Sequence, residues 1–234
     1  MRIEDIILVG SGGCMREIVW QIQEQNKKKM LWNIVGYVDN EYPKNGIGIN
    51  VGKQVIHYLG NDEFLLQKRE KTKVGICVGN PMLRMRIANR LKNNSKIQFP
   101  NIILGNASVC EDVKLEEGCI ISIDSKISTN VHVGSFVFMN ISSMVCHDGR
   151  IDSFVTLGPD VKLAGNVSIG KGCDIGMGSK IIQGIHIGEN VIAGAGSVIV
   201  DDIENNCTVV GVPARKIKEI DYGNNGNCRS RGKS

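Results

Sequence analysis

From Ile103 onward an apolar residue recurs at every sixth position: Ile103, Val109, Leu115, Ile121, Ile127, Val133, Met139, Val145, Ile151, Leu157, Leu163, Ile169, Ile175, Ile181 and Ile187, with Ala193 and Ile199 continuing the series. Four places after each comes a second residue, small or valine-sized throughout except at Ile185: Ala107, Val113, Cys119, Ser125, Val131, Val137, Ser143 and onward. The place directly after the aliphatic is often glycine, as at Gly134, Gly158, Gly170, Gly176, Gly188 and Gly194. A period of six fits neither the helical 3.6 nor the strand's 2. It predicts a short strand and a tight turn, repeated. The large aliphatic points inward and the small residue fits a crowded corner. The glycine is expected to supply a turn conformation that side chains resist. Three units close one triangular coil, so residues eighteen apart stack, and Ile151, Ile169 and Ile187 form one column. Backbone ladders between successive coils hold the stack together, and the columns make its core.

Residues 1–92 lack that period. Ile6-Ile7-Leu8-Val9 reads as a buried strand, Gly10-Ser11-Gly12-Gly13 as a turn, and Cys14–Asn26 as a helix with Ile18, Val19 and Ile22 on one face. Ile34–Val38 predicts a second strand ending at Asp39-Asn40, and the Gly-rich stretch 41–60 a loop. Val74–Val78 predicts a third strand, followed by Gly79-Asn80 and a helix from Pro81 to about Lys92. Proline suits a first helical turn. Alternating strands and helices predict a small parallel sheet. The organisation is therefore an α/β (β-α-β, Rossmann-like) domain over 1–92, a linker over 93–102, a left-handed parallel β-helix over 103–216 and a polar, flexible tail over 217–234. The glycine loop between strand and helix suits an anion, because helix N-terminal amides face it. It is not the dinucleotide fingerprint, since Met15 stands where a third glycine is needed.

Composition narrows the function classes. A chain of 234 residues, 42% apolar and 22% charged, is an ordinary folded composition. No apolar run approaches the ~20 residues of a membrane helix. The start, Met1-Arg2-Ile3-Glu4-Asp5, carries acids where a leader wants bases, so a cytoplasmic location is expected. The eight cysteines are then expected as thiols. A net charge of +4 with 5% aromatics and no basic stripe gives no nucleic-acid surface.

The whole chain resembles the NeuD/PglD-type sugar acyltransferases of the hexapeptide-repeat superfamily. The pieces that carry the resemblance are Val9-Gly10-Ser11-Gly12-Gly13, Gly36-Tyr37-Val38-Asp39-Asn40, Val78-Gly79-Asn80, Ser142–Asp148, Leu163–Val167 and Gly211-Val212-Pro213-Ala214-Arg215. The resemblance implies a homotrimer with active sites between subunits, acetyl-CoA as co-substrate and a nucleotide-linked sugar as acceptor. It implies no metal and no membrane span. The family's base is a histidine in the segment here occupied by His147, two places after Val145 and so on the coil surface. Imidazoles generally titrate near 6.5, so a neutral one can take a proton at cell pH. Asp148, or Asp152, is expected to fix its tautomer. By resemblance, Gly165 offers a backbone N–H to the developing oxyanion, and Asn140 stands near the acyl group. Ala164, Gly165, Met177, Ala195 and the Gly211–Arg215 segment line the CoA groove, with Lys180, Arg215 and Lys216 toward the phosphates. Gly12, Gly13, Asp39, Asn40 and Asn80 face the nucleotide, whose sugar points across the subunit interface toward His147.

Two departures from the family pattern stand out. Thr156 occupies a place where a second histidine is common, and Cys14 one where a histidine is frequent in the glycine loop. The resemblance leads to an acetyl-CoA-dependent N-acetyltransferase on a nucleotide-linked 4-amino-deoxysugar in surface-glycan (polysaccharide) synthesis. The alternative is O-acetylation of sialic acid or another sugar; a non-catalytic scaffold is a remote third. A zinc hydratase on the same helix needs three converging histidines. His132, His147 and His186 are too irregularly spaced for that.

Overall fold

The computed structural model describes residues 3–43, 46–221 and 229–230. The chain divides into two compact units, Met1–Gly105 and Asn106–Ser234.

In the first unit β1 (Glu4–Val9) is buried over its last four residues and leads into α1 (Gly13–Lys28). The helix buries Met15, Ile18, Val19 and Ile22, so Met15 fills core space. Next come β2 (Trp32–Val38), β3 (Gly48–Val51), β4 (Gln54–Gly60), the short α2 (Asp62–Leu66), β5 (Thr72–Ile76), α3 (Pro81–Leu91) and β6 (Ile97–Gln98). The sheet order is β3-β4-β2-β1-β5-β6. Every pair is parallel except the β3–β4 hairpin. That hairpin corrects the loop expected over 41–60. Gly52, at φ 58°, makes its tight turn. Gly48 lies in the strand because a Cβ there would fall 2.1 Å from the Ile56 carbonyl oxygen. These glycines serve strand approach as well as looping, which composition alone does not separate. β6 likewise lies within the expected linker 93–102. Ile97 and Phe99 are buried there, and Ile97 pairs with Thr72.

The second unit is a left-handed parallel β-helix with two-residue strands on three faces. The second face stacks Ser108–Val109, Lys126–Ile127, Met144–Val145, Lys162–Leu163, Lys180–Ile181 and Val198–Ile199. The third stacks Lys114–Leu115, His132–Val133, Arg150–Ile151, Ser168–Ile169 and His186–Ile187. The first face includes Phe138–Met139, Thr156–Leu157, Asp174–Ile175 and Ile192–Ala193. Register pairs Ile151 with Ile169 and Ile169 with Ile187, as the period requires. The inward aliphatics and the valine-sized corner residues form one buried cluster. Cys119 and Cys173 are buried corners whose thiols donate to the Gly134 and Gly188 carbonyls.

The glycine after the aliphatic does a different job from the one expected. Gly134, Gly158, Gly170, Gly176, Gly188 and Gly194 do not have positive φ. A Cβ on Gly176 would lie 2.6 Å from both Ala193 O and Ala195 N of the next coil. These glycines provide room between coils. The left-handed conformation belongs to the residue two places later: Asp124, Asn130, Phe136, Ser142, Asp148, Phe154, Asp160 and Asn166 all have φ near 60°. Asp and Asn tolerate it through local hydrogen bonding.

The helix ends in a strand over Cys207–Gly211 that pairs antiparallel with Ala214–Asp221 across a cis Val212–Pro213 bond. Residues 217–221, read from sequence as tail, are therefore strand, because Ile220 buries its side chain and Lys216 pairs with Glu204 and Glu219. Residues 222–228 and 231–234 of that tail lie outside the described residues. No described helix is long and apolar enough to cross a membrane.

Candidate functional site

His147 follows the Met144–Val145 strand of the second face, at the corner leading to the third. The aliphatic period puts Val145 inside and turns the chain outward, leaving His147 about half exposed. The next residue, Asp148, sits at φ 60°. That left-handed turn folds its carboxylate back onto the imidazole, with His147 Nδ1 2.8 Å from Asp148 Oδ2. The hydrogen bond from His147, then one from Asn130, holds the Asp148 carboxyl below the usual carboxylate value. An ionised Asp148 only accepts, so Nδ1 is the donor, and in the neutral imidazole Nε2 is the nitrogen that keeps its lone pair. A carboxyl held below its usual value regains its proton only as pH falls through that lowered value, so Asp148 is ionised at neutral pH. Asp152, the other carboxylate considered, donates its amide to Ile169 and has no contact with His147 among the described residues.

One coil on, Gly165 stacks directly on the imidazole. A Cβ there would lie 2.4 Å from His147 Cε1 and 2.5 Å from Nε2. Gly165 thus seats the ring, and its own amide has no acceptor among the described residues. Asn166 N donates to His147 O at 2.8 Å, locking the two coils at this point. Gly165→Ala is expected to swing the ring off Asp148. A displacement of about an ångström costs on the order of 10²-fold, read as a fall in kcat with little change in thermal midpoint.

The other helix residues spread along the second face and its two corners. Ala164 adjoins Gly165 and donates its amide to Ile181 O. Lys180 lies on the face, registered with Lys162. Asn140, Met177 and Ala195 lie at the opposite corner. There the Asn140 side chain accepts from Ile141 N, and Met177 is well exposed. The structure thus joins His147, Asp148, Ala164 and Gly165 at one corner and leaves Asn140, on the same coil, beyond the Met144–Val145 strand. Arg215 is in the terminal hairpin, paired with Asp201 at 3.2 Å. Thr156 is buried on the first face, between Phe138 and Asp174, away from the His147 corner. His132 pairs with Glu116, and His186 meets Ser168 Oγ at 2.8 Å. Among the described residues no group of three or more His, Cys, Asp or Glu is arranged to hold a metal.

In the first unit the candidate residues do converge. β2 and β5 flank β1 in parallel, so Val38 and Ile76 both align with Val9. The loops after these three strands meet at one sheet edge, where the strand order reverses. Ligands of open α/β sheets bind at such a point. Gly10, at φ 111°, packs against Cys77 O and Val78, and donates to Val38 O. Gly12 caps α1 without a side chain, and nothing lies within 4 Å of where its Cβ would be. Asp39 accepts from Glu41 N, and Tyr58 OH donates to Asp39 O. Asn40 follows, exposed. Asn80 is the N-cap of α3, its Oδ1 accepting from Leu83 N at 2.9 Å. An open depression of about 580 Å³ beside Gly13 is lined by Cys14, Arg16, Glu17 and Trp20. Burial pushes the Cys14 thiol up to about 12, so it stays protonated.

Sequence reading missed Arg84. It is almost wholly buried in α3 and its guanidinium donates to Val78 O at 2.7 Å and Gly79 O at 2.8 Å. It therefore fixes the loop that presents Asn80. Only the fold reveals this, since an arginine at that helix position reads as surface charge. Arg84→Met should leave those carbonyls unsatisfied at about 1–3 kcal/mol. Denaturant midpoints measure that loss.

Residues 5–91 match the family profile of the PglD N-terminal domain. No curated protein matches the chain in sequence. Among solved structures, an alanine variant of GDP-perosamine N-acetyltransferase from Caulobacter crescentus, in complex with CoA and GDP-perosamine, is 25% identical. It superposes with a TM-score of 0.79 over 93% of this chain and 99% of that one. PerB from the same organism, in complex with CoA and GDP-perosamine, is 25% identical with a TM-score of 0.81 over 92% of this chain and 98% of its own. The acetyltransferase domain of PglB from Neisseria gonorrhoeae FA1090, in complex with acetyl coenzyme A, shares the fold at 24% identity, with a TM-score of 0.80 over 92% of this chain and 100% of that one. Residues 5–91 therefore belong to the PglD N-terminal domain family, and the whole chain, that domain followed by a hexapeptide-repeat β-helix, is similar in fold to these CoA-binding sugar acetyltransferases.

Proposed function

We propose that the chain transfers the acetyl group of acetyl-CoA to the amine of a nucleotide-linked 4-amino-deoxysugar, with His147 as general base. The observation that carries this reading is the His147–Asp148 pair, seated on Gly165 with Nε2 free of the carboxylate. Nε2 takes the proton of the attacking amine as the C–N bond forms. The C–S bond of the thioester breaks, and the proton passes on to the departing thiolate. The Gly165 amide stabilises the carbonyl oxygen as charge builds on it. Ala164, Met177, Lys180, Ala195 and Arg215 are the proposed CoA contacts, with Asn140 near the acyl group.

Gly12, Gly13, Asp39, Asn40 and Asn80 are the proposed nucleotide contacts, on the sheet edge of the first unit. Asn80 acts there by shaping the start of α3, since its side chain already caps that helix. Arg16, beside the depression, adds a cation that a phosphate favours. Separate CoA-facing and nucleotide-facing residues match what the two Caulobacter structures bind, namely CoA and GDP-perosamine. That pairing favours an amino-sugar nucleotide over free sialic acid as acceptor. The working form is proposed as a homotrimer whose active sites lie between subunits, in the cytoplasm, supplying surface-polysaccharide synthesis.

The test incubates the protein with acetyl-CoA and a panel of UDP-, dTDP- and GDP-linked 4-amino sugars together with sialic acid, reading products by mass. Gain of one acetyl group on an amino-sugar nucleotide supports the proposal. Acetylation of sialic acid alone, or of nothing in the panel, contradicts it.

A further inference from the structure

We infer that Asn130 is a positioning residue for the acetyl-transfer site, acting on His147 through Asp148; this rests on the proposed role of His147 as base. Asn130 lies one coil before Asp148 at the same corner, and its Nδ2 donates to Asp148 Oδ1 at 2.6 Å. The other carboxylate oxygen, Oδ2, meets His147 Nδ1 at 2.8 Å. Each oxygen thus has one donor, and the carboxylate plane is set by both. An exposed aspartate with a single partner would rotate about its side-chain bonds. With Asn130 in place it has one arrangement, and that arrangement points Oδ2 at the imidazole.

Asn130 is itself anchored from the coil before. Its backbone N donates to Asp112 Oδ2 at 3.0 Å, and Thr129 Oγ1 donates to the same oxygen at 2.6 Å. The chain of contacts therefore runs down one corner from Asp112, through Asn130 and Asp148, to His147. Both Asn130 and Asp148 adopt left-handed backbone, at φ 54° and 60°. Asparagine combines tolerance of that conformation with an N–H₂ donor of the right length; glycine offers the first alone, and aspartate lacks the donor. No step of the proposed chemistry touches Asn130 directly.

The consequence is a defined tautomer. A fixed, ionised Asp148 holds the proton on Nδ1 and leaves Nε2 bare. Removing Asn130 releases the carboxylate, and Nδ1–H and Nε2–H forms then mix. The first readout is the ¹⁵N spectrum of the imidazole in the full chain, at a pH where His147 is neutral. Wild type should show a single Nδ1–H tautomer. Asn130→Gly, which keeps the backbone conformation, should show a mixture, and so should Asn130→Asp, which keeps the size but not the donor.

The second readout is a double-mutant cycle on acetyl transfer. Asn130→Gly should lower kcat by roughly tenfold with KM for acetyl-CoA unchanged. On an Asp148→Ala background the same change should lower it no further. A His147 spectrum unaltered by both Asn130 variants overturns the inference. So does an undiminished tenfold loss in the absence of Asp148, which would give Asn130 a separate role. Failure of the acceptor panel would remove the proposed function while leaving the tautomer measurement to decide the role of Asn130.

Discussion

His147→Ala should lower kcat for acetyl transfer by about 10²–10⁴, the range that positioned general bases supply. Thermal stability and acetyl-CoA binding should be nearly unchanged. The side chain is half exposed at a coil corner and its backbone carbonyl, which accepts from Asn166 N, survives the substitution. Loss of rate with an intact fold separates a base from a residue that holds the corner together. His147→Asn is a useful companion, since it retains polarity at similar size without a basic nitrogen. Comparable losses in the two variants would assign the effect to proton transfer. A full rate in either would remove His147 from the mechanism. His132→Ala should leave the rate within about twofold, because that histidine sits on the third face paired with Glu116.

Ile169→Ala should destabilise the β-helix by about 2–5 kcal/mol, the range for emptying a filled aliphatic site. Ile169 is 1% exposed and stacks in register between Ile151 and Ile187. The coils above and below are tied by their own ladders, so the space can close only in part. Denaturant midpoints measure the loss. Lys171→Ala, two residues away and exposed, should change stability by less than about 0.5 kcal/mol. A loss below about 1 kcal/mol for Ile169→Ala would mean that the columns are not what holds the coils.

Much of the second unit is legible from sequence because each coil repeats the same demand. A residue at every sixth place must be large and apolar, and the ladder fixes which residues stack. The inward column from Val133 through Ile187 follows from that spacing alone. The role of the glycines after the aliphatic is less legible. Their occurrence is plain, but closeness to the next coil and left-handed backbone both favour glycine, and only the structure assigns Gly176 to the first and Asp148 to the second. The hairpin over Gly48–Gly60 was obscured for a similar reason, because Gly48 and Gly52 resemble loop residues until their partners are in place.

At the site, sequence could nominate His147 and its neighbouring acid through resemblance and adjacency. The φ of 60° that turns Asp148 onto the ring lies in the backbone and leaves only a weak mark in residue type. Gly165 under the imidazole, Asn130 on the far oxygen of Asp148, and Arg84 behind the Val78–Gly79 loop all depend on contacts between residues far apart in the chain. Eighteen-residue spacing within the β-helix makes the first two recoverable once the coil is known. Arg84 carries no such periodic signal.

The most direct measurement of the central claim is a crystal structure of the protein with CoA and the amino-sugar nucleotide that the acceptor panel identifies. The account predicts the acceptor nitrogen within hydrogen-bond distance of His147 Nε2, Asp148 still on Nδ1, and the CoA sulfur beside the Gly165 amide. An acceptor nitrogen remote from His147, or a CoA sulfur at a different corner of the β-helix, would contradict it.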